Sequence, residues 1–325
     1  MNSMDFIEPI LKQFKNKQVL IIGDAMIDAY MWGNIHRNSP EAPVPVVDIE
    51  KRESRLGGAA NVALNIQSLG ATPILFSAIG TDPNGHLFCE LMKKQHLSCK
   101  GIQQITSRNT TVKTRIISNS KHVLRVDEEC TDPINNKSVE LELVKLLESN
   151  SFDVIIFEDY NKGLLTEKLI SKAIKIAKKL NIPTIVDPKK EHFFTYKNVD
   201  IFKPNLKEIK EGLGVEFDVH SSKELATNVE LVRSKLNAKG ILLTLSEHGM
   251  YYQDQTNIYK EHAHKRSIID VSGAGDTVVS VAALALACGL KNEDLMKIAN
   301  LAGGLVCEKV GVVPIKIEDL INATK

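Results

Sequence analysis

Apolar and polar positions along the chain follow two alternating patterns. Short uninterrupted apolar runs, Val19-Leu-Ile-Ile22, Ile74-Leu-Phe76, Val154-Ile-Ile-Phe157, Thr184-Ile-Val186 and the segment 241–245, have the length and branching of strands buried on both faces. Between and after them, apolar residues recur at helical spacing and predict helices over 59–69, 85–94, 166–180, 206–211, 221–236, 277–288 and 292–308. Such alternation implies an α/β fold: a doubly wound, mostly parallel sheet flanked by helices. Two places break the rhythm. Segment 44–49 and the pair 111–118 and 122–127 read as strands without intervening helices, the break Asn119-Ser-Lys121 making the pair a hairpin. Strands of this kind predict a small lid, over approximately 42–54 and 110–128, beside the main sheet. An edge hairpin of no functional consequence is the other reading.

Composition narrows the class. The 325 residues are 43% hydrophobic and 25% charged, as in globular proteins, and suffice for two domains or one large α/β domain with an appendage. Lys and Arg total 41 against 40 Asp and Glu, a net charge of +1. That balance speaks against a general nucleic-acid or anionic-membrane binder and leaves room for a local basic pocket. Five scattered cysteines, with neither C-x-x-C nor H-E-x-x-H, suggest free thiols in a reducing compartment. Residues 1–5 lack the order of a signal peptide, and the most apolar stretch, 278–290, is too short to span a bilayer. A soluble, cytoplasmic protein is expected.

The chemistry concentrates in Asp270-Val-Ser272-Gly273-Ala274-Gly275-Asp276, a small-residue turn between an expected strand and a long apolar helix. Glycines let the backbone approach a ligand, and the first-turn N–H groups of a helix have no intrahelical partner, so they suit a phosphate. Asp276 stands where a carboxylate could take a proton from an attacking hydroxyl, and anion hole plus base is what phosphoryl transfer to an alcohol requires. Simple helix capping by Asp276 is the alternative. A dinucleotide-binding turn fits less well, because the third glycine and a later acidic strand end are missing. No Walker loop occurs, and His36-Arg37-Asn38 is not the catalytic loop of protein kinases. Upstream, Gly57-Gly58-Ala-Ala-Asn61 opens a helix, and Asp24 and Asp28 follow the first strand, where ligands of doubly wound sheets bind. Asp and Asn side chains suit sugar hydroxyls; a capped helix after a glycine turn is the plainer reading.

Taken together, Gly23-Asp24, Gly57-Gly58-Ala-Ala-Asn61 and Gly273-Ala-Gly-Asp276 make nearly the whole chain resemble the ribokinase family of carbohydrate kinases. The resemblance implies a single ribokinase-like domain over 1–325, Asp276 as catalytic base, Gly273, Ala274 and Gly275 as anion hole, and sugar contacts from Asp24, Asp28, Gly57, Gly58 and Asn61. It implies nucleotide contacts at Asn205, Lys207, Glu208, Thr244, Ser246 and Gly249, with Glu208 meeting Mg2+ through water. It also implies a monovalent cation such as K+ at Asp270 and Ser272, where local capping by the aspartate is equally open. Segments Gly23 to Asp28, Ser39 to Val46, Asp159 to Gly163, Asp187-Pro-Lys189 and the hairpin 111–127 look most like the members that phosphorylate D-glycero-D-manno-heptose 7-phosphate. That branch transfers the ATP γ-phosphate to the anomeric hydroxyl, giving the 1,7-bisphosphate of lipopolysaccharide core synthesis. A kinase for another sugar or nucleoside, and a non-catalytic sugar-phosphate sensor, are the competing readings. Many such kinases carry a C-terminal nucleotidyltransferase domain, which the resemblance would here put on another chain. Val312-Val-Pro314 departs from the usual small, hydroxylated tail, leaving the adenine-side contacts open. A phosphorylated substrate needs cations, for which Arg37, Lys113, Arg115, Arg125, Lys162 and Lys189 are candidates, and open lid edges suggest a homodimer.

Overall fold

The computed structural model describes residues 7–119, 121–263 and 267–323; residues 1–5 and Ser120, read above, lie outside these. In chain order the strands are β1 (Gln18–Gly23), β2 (Ala25–Asn38), β3 (Pro45–Gly58), β4 (Thr72–Gly80), β5 (Ile102–Ile105), β6 (Val112–Ser118), β7 (Lys121–Glu128), β8 (Val154–Glu158), β9 (Thr184–Asp187), β10 (Ile201–Phe202), β11 (Gly240–Thr244), β12 (Met250–Asp254) and β13 (Ile258–Glu261). The helices are α1 (Ile7–Leu11), α2 (Ala59–Ser68), α3 (Pro83–Lys94), α4 (Lys137–Ser149), α5 (Glu167–Lys179), α6 (Leu206–Leu213), α7 (Ser222–Leu236), α8 (Ala274–Ala287), α9 (Asn292–Val306) and α10 (Ile317–Ala323).

Among the described residues, nine strands form the main sheet in the order β13-β12-β11-β10-β9-β8-β1-β4-β5. Every pair from β11 to β5 is parallel, and β12 and β13 add an antiparallel edge. Alternate side chains of the uninterrupted runs enter opposite layers. Val19 and Ile21 of β1 join Val154, Ile156 and the helices α2, α8 and α9, whereas Leu20 and Ile22 join Ile155, Phe157 and α4, α5 and α7. Period-two burial into two apolar layers explains why these strands lack polar interruptions. The expected α/β architecture is therefore present.

The second sheet, in the order β3-β2-β6-β7, is larger than the expected lid. The sequence reading misses the 14-residue β2 and ends β3 well short of Gly58. Ala25 to Asp28 are all buried, so the first half of β2 has no alternation to read. The strand expected before Ser272 is also absent: Ile268, Ile269 and Val271 are exposed, and the N–H groups of Ile269 and Asp270 both donate to the Cys307 carbonyl.

The two sheets are tied together by Asp82, the N-cap of α3. Its carboxylate accepts from Gly85 N at 2.8 Å, from the Thr110 hydroxyl at 2.6 Å and from Thr110 N at 2.9 Å, just ahead of β6. Asp82→Ala strands these donors and is expected to lower stability by about 1–3 kcal/mol, read as a lower urea midpoint at unchanged m.

Candidate active site

The strand order fixes where the site forms. β4 and β5 lie on one side of β1 and β8 to β11 on the other, so the chain leaves β1 in opposite directions and opens a crevice beyond the strand ends. Into that crevice β1, β8, β9 and β10 deliver Asp24, Glu158 with Asp159 and Tyr160, Asp187, and Lys203.

The N-terminus of α8 closes the crevice. Gly273 is its N-cap in the left-handed region, with φ 78°, and a Cβ there would stand 2.9 Å from Val312 Cγ1. The expectation for Ala274 needs correction: its N–H donates to the Val271 carbonyl at 3.2 Å. Among the described residues no backbone acceptor meets the N–H groups of Gly275 and Asp276, which makes these two the open donors. A Cβ on Gly275 would face open space, its nearest neighbours being Asp187 Oδ2 at 3.7 Å and Lys203 Nζ at 4.0 Å.

Asp276 is buried, 8% exposed, and both carboxylate oxygens are held. Asn61 Nδ2 donates to Oδ2 at 2.5 Å and the Tyr160 hydroxyl donates to Oδ1 at 2.9 Å. Burial pushes the carboxyl up to about 6 against the pull of those two hydrogen bonds. Asn61 thus presents its amide nitrogen to Asp276, while its buried Oδ1 has no partner among the described residues.

Two cavities flank this carboxylate. The first, about 440 Å³, is lined by Asp28, Tyr30, Arg55, Asn61 and Val312 to Pro314. The second, about 510 Å³, is lined by Tyr160, Asp187, Lys189, Lys203, Asn205, Glu208, Thr244, Ser246, Gly249, Gly275 and Asp276. Asn61 on one side and Asp276 on the other form the wall between them.

The structure brings together most of the residues expected at a site and redistributes others. Asp28 and Asn61 line the first cavity, and Gly57 makes room for Asp28, whose Oδ2 would lie 2.2 Å from a Cβ there. Gly58 adopts φ 57° before α2, and a Cβ on it would lie 2.5 Å from the Asp24 carbonyl oxygen. Asp24 does not line either cavity: its buried carboxylate accepts from the N–H groups of Tyr160, Lys162 and Leu164 at 3.0, 3.0 and 3.2 Å. It therefore positions the loop that carries Tyr160. Val312 to Pro314, whose departure from the family pattern left the adenine-side contacts open, line the first cavity.

Lys189, expected among sugar contacts, stands instead in the second cavity, 2.5 Å from Glu208 Oε1 and 5.6 Å above the Tyr160 ring. Burial opposes its charge, yet the Asp187 and Glu208 carboxylates outweigh that and hold its pKa above the usual range. Asn205 and Glu208 form a capping box on α6, Asn205 Oδ1 accepting from Glu208 N at 2.8 Å and Glu208 Oε2 from Asn205 N at 2.9 Å. Lys207, by contrast, projects into solvent with its side chain 81% exposed, toward Glu211. Thr244, Ser246 and Gly249 sit on the second cavity at the end of β11. Gly249 has φ 87°, and a Cβ there would lie 2.1 Å from the Glu261 carbonyl oxygen. Asp270 accepts from the N–H groups of Ser272 and Gly311, each at 2.9 Å, which is the local capping open for it from the start.

The remaining cations lie on the second sheet and its surroundings. Lys113 meets Asp127 and Glu129, Arg125 meets Asp127, Lys162 meets Glu129, and Arg115 meets Asp28 at 2.5 Å. Arg37 is exposed near the far end of β2. Sequence reasoning missed four residues of the centre: Tyr160, Glu158, Asp187 and Lys203. Lys203 is buried and paired with Asp187 at 2.8 Å. Glu158 Oε2 is buried without a partner among the described residues, and burial, then the charges of Asp187 and Asp276, push its carboxyl well above the usual range.

A buried carboxylate at a helix N-terminus, between two cavities at the switch point of a mostly parallel sheet, defines a ribokinase-like phosphotransferase. Residues 16–319 match the pfkB family carbohydrate kinase description, and the chain belongs to that family. Its similarity to the "Bifunctional protein HldE" of Syntrophotalea carbinolica is 35% identity over 321 residues, 98% of this chain and 65% of that protein. The protein of the same name from Histophilus somni is 38% identical over 314 residues, 96% of this chain and 64% of that one. The chain thus spans a little under two thirds of the length of these relatives. Among solved structures, phosphofructokinase-2 from Escherichia coli in complex with potassium shares the fold at TM-score 0.78 and 16% identity, covering 95% of this chain and 98% of that one. Arabidopsis thaliana ribokinase complexed with ribose and ATP does so at TM-score 0.73 and 16% identity, covering 95% and 99%. Among the described residues no helix is long and apolar enough to cross a membrane.

Tyr160→Phe removes a donor that favours the ionised form of Asp276. Its carboxyl is therefore expected to titrate above its present value of about 6, as followed by carbon-13 NMR of labelled aspartate.

Proposed function

We propose that this kinase transfers the γ-phosphate of ATP to the anomeric hydroxyl of D-glycero-D-manno-heptose 7-phosphate, giving the 1,7-bisphosphate that feeds lipopolysaccharide core synthesis. The observation that carries the reading is Asp276 in the wall between two cavities, hydrogen-bonded to Asn61 from the first and Tyr160 from the second. The likeness to proteins named HldE over 96–98% of the chain supports the choice of sugar.

In this reading the first cavity takes the sugar and the second takes the nucleotide. The acceptor hydroxyl reaches Asp276, with Asp28 as hydrogen-bond partner for a neighbouring hydroxyl. As the sugar oxygen bonds to the γ-phosphorus, its proton passes to the Asp276 carboxylate, the bond to the bridging oxygen breaks, and ADP leaves. The N–H groups of Gly275 and Asp276, with Lys203 and Lys189 behind them, meet the charge that builds on the transferring phosphoryl group. A carboxyl titrating at about 6 is ionised at neutral pH and still basic enough to accept the proton.

The second cavity also suits a magnesium ion. Four carboxylates, those of Glu158, Asp187, Glu208 and Asp276, surround two lysines, and Glu158 Oε2 is left unpartnered. Among the described residues no three His, Cys, Asp or Glu side chains converge as a direct cage, so Asp187 and Glu208 would hold the ion through its water. When bound, it neutralises phosphate charge. The second sheet serves as a lid over the first cavity, keeping water from the phosphoryl group. All eight residues of β7 are exposed, Leu124 and Val126 among them, and this open edge pairs with a second copy in a homodimer.

The function is tested by ADP release over a panel of free and phosphorylated sugars, where heptose 7-phosphate is expected to give the highest kcat/KM. If another sugar is markedly better, the substrate is wrong. Asp276→Asn is expected to lower kcat by about 10²–10⁴. In the native enzyme kcat/KM should fall with acidification below about pH 6, because protonation removes the base. Gly275→Ala meets no protein atom closer than 3.7 Å, so the melting temperature should hold while kcat/KM drops about 10²-fold through displacement of the phosphate.

A further inference from the structure

The second sheet carries one coherent face. Cross-strand register places Asp28, Tyr30 and Trp32 of β2 opposite Arg55, Glu53 and Lys51 of β3, and Asp28 and Tyr30 opposite Lys113 and Arg115 of β6. Registered partners project to the same side of a sheet, so these side chains share a surface. At its centre the Arg55 and Arg115 guanidinium groups both lie over the Tyr30 ring, 5.1 and 5.3 Å from its centroid, and Tyr30 stacks on Trp32 at 5.5 Å. A guanidinium over an aromatic ring keeps its planar fork of N–H donors, which suits phosphate oxygens.

We propose that Arg55 and Arg115, braced on Tyr30, form the subsite for the phosphate the acceptor sugar already carries. Three observations single them out. Arg55 lines the first cavity, and Arg115 pairs with Asp28, which lines it too, whereas Lys113, Arg125 and Lys162 do not line it and are bound to Asp127 and Glu129. The carboxylate that now holds Arg55, Glu53 at 2.5 Å, also has Lys51 at 3.2 Å, so Arg55 can turn to a ligand without leaving Glu53 unpaired. Arg115 is held beside the cavity-lining Asp28, and Arg55 Nη1 lies 3.3 Å from where a Cβ on Gly311 would be, so a small residue there leaves room for the guanidinium. Three strand steps lead from Arg55 to Gly58, about 10 Å at 3.4 Å each, comparable with a pyranose bearing a terminal phosphate.

The assignment rests on the sugar-phosphate reading above and is tested so that the two can fail separately. Kinetics are compared for heptose 7-phosphate and for the same heptose without its phosphate, in the native enzyme and in Arg55→Gln, with Arg55→Lys as a milder variant. Melting temperature and KM for ATP report on folding and on the other cavity. The expected result is a KM for the sugar phosphate raised about 10- to 100-fold in Arg55→Gln and less in Arg55→Lys, the free sugar unaffected, and weaker competitive inhibition by inorganic phosphate. If the native enzyme prefers the phosphorylated sugar and Arg55→Gln prefers it equally, the anchor is wrong and the reading stands. Should Lys113→Gln, Arg125→Gln or Lys162→Gln raise KM where Arg55→Gln does not, the anchor is likewise overturned. If the native enzyme accepts the free sugar as readily, the reading falls and the anchor with it.

Discussion

Two neutral hydrogen-bond donors hold one buried carboxylate, and the arrangement of the site follows from that. Asn61 and Tyr160 fix Asp276 without supplying a positive charge, so its oxygens are placed but remain basic. Had a lysine been the partner, the carboxyl would have been driven below its ordinary range and lost as a proton acceptor. The nearby lysines are occupied elsewhere, Lys203 with Asp187 and Lys189 with Glu208. Holding Asp276 in this way requires α2, the loop after β8 and α8 to meet at one point. Asp24, at the end of β1, secures that meeting by binding three N–H groups of the Tyr160 loop.

Charge is distributed in keeping with this. The net charge of +1 conceals a carboxylate-rich second cavity and a second sheet whose cations are interleaved with acids. In both places the cations are already paired with carboxylates, Lys203 with Asp187, Lys189 with Glu208, Arg55 with Glu53 and Arg115 with Asp28. The cost is a set of buried carboxyls, Glu158 and Asp276 among them, that the fold keeps above their normal pKa.

How much of this was legible in the sequence depends on what each residue answers to. Asp276, Asn61 and the glycines around them were readable because glycine-rich turns before a helix serve a local geometric need. The uninterrupted strands were readable because burial on both faces leaves no polar positions. Helix α4 was not, since Val139, Leu141 and Leu143 alternate as in a strand while the buried positions are Val139, Glu140, Leu143 and Leu147. The roles of the cations were least legible. Lys113, Arg125 and Lys162 are paired with Asp127 and Glu129, Arg55 with Glu53 and Arg115 with Asp28, and local hydrophobic patterning carries no signal for such pairings. Tyr160, Asp187 and Lys203 occupy strand ends, so the rule that pointed to Asp24 and Asp28 would have found them if applied to every strand.

The central claim is that phosphate donor and acceptor occupy opposite sides of Asp276. A crystal structure with a non-hydrolysable ATP analogue and heptose 7-phosphate tests it most directly. The expected result is the anomeric oxygen within about 2.6–3.2 Å of an Asp276 oxygen, with the γ-phosphate over the N–H groups of Gly275 and Asp276. A sugar bound away from the first cavity, or a γ-phosphate remote from Gly275, would contradict it.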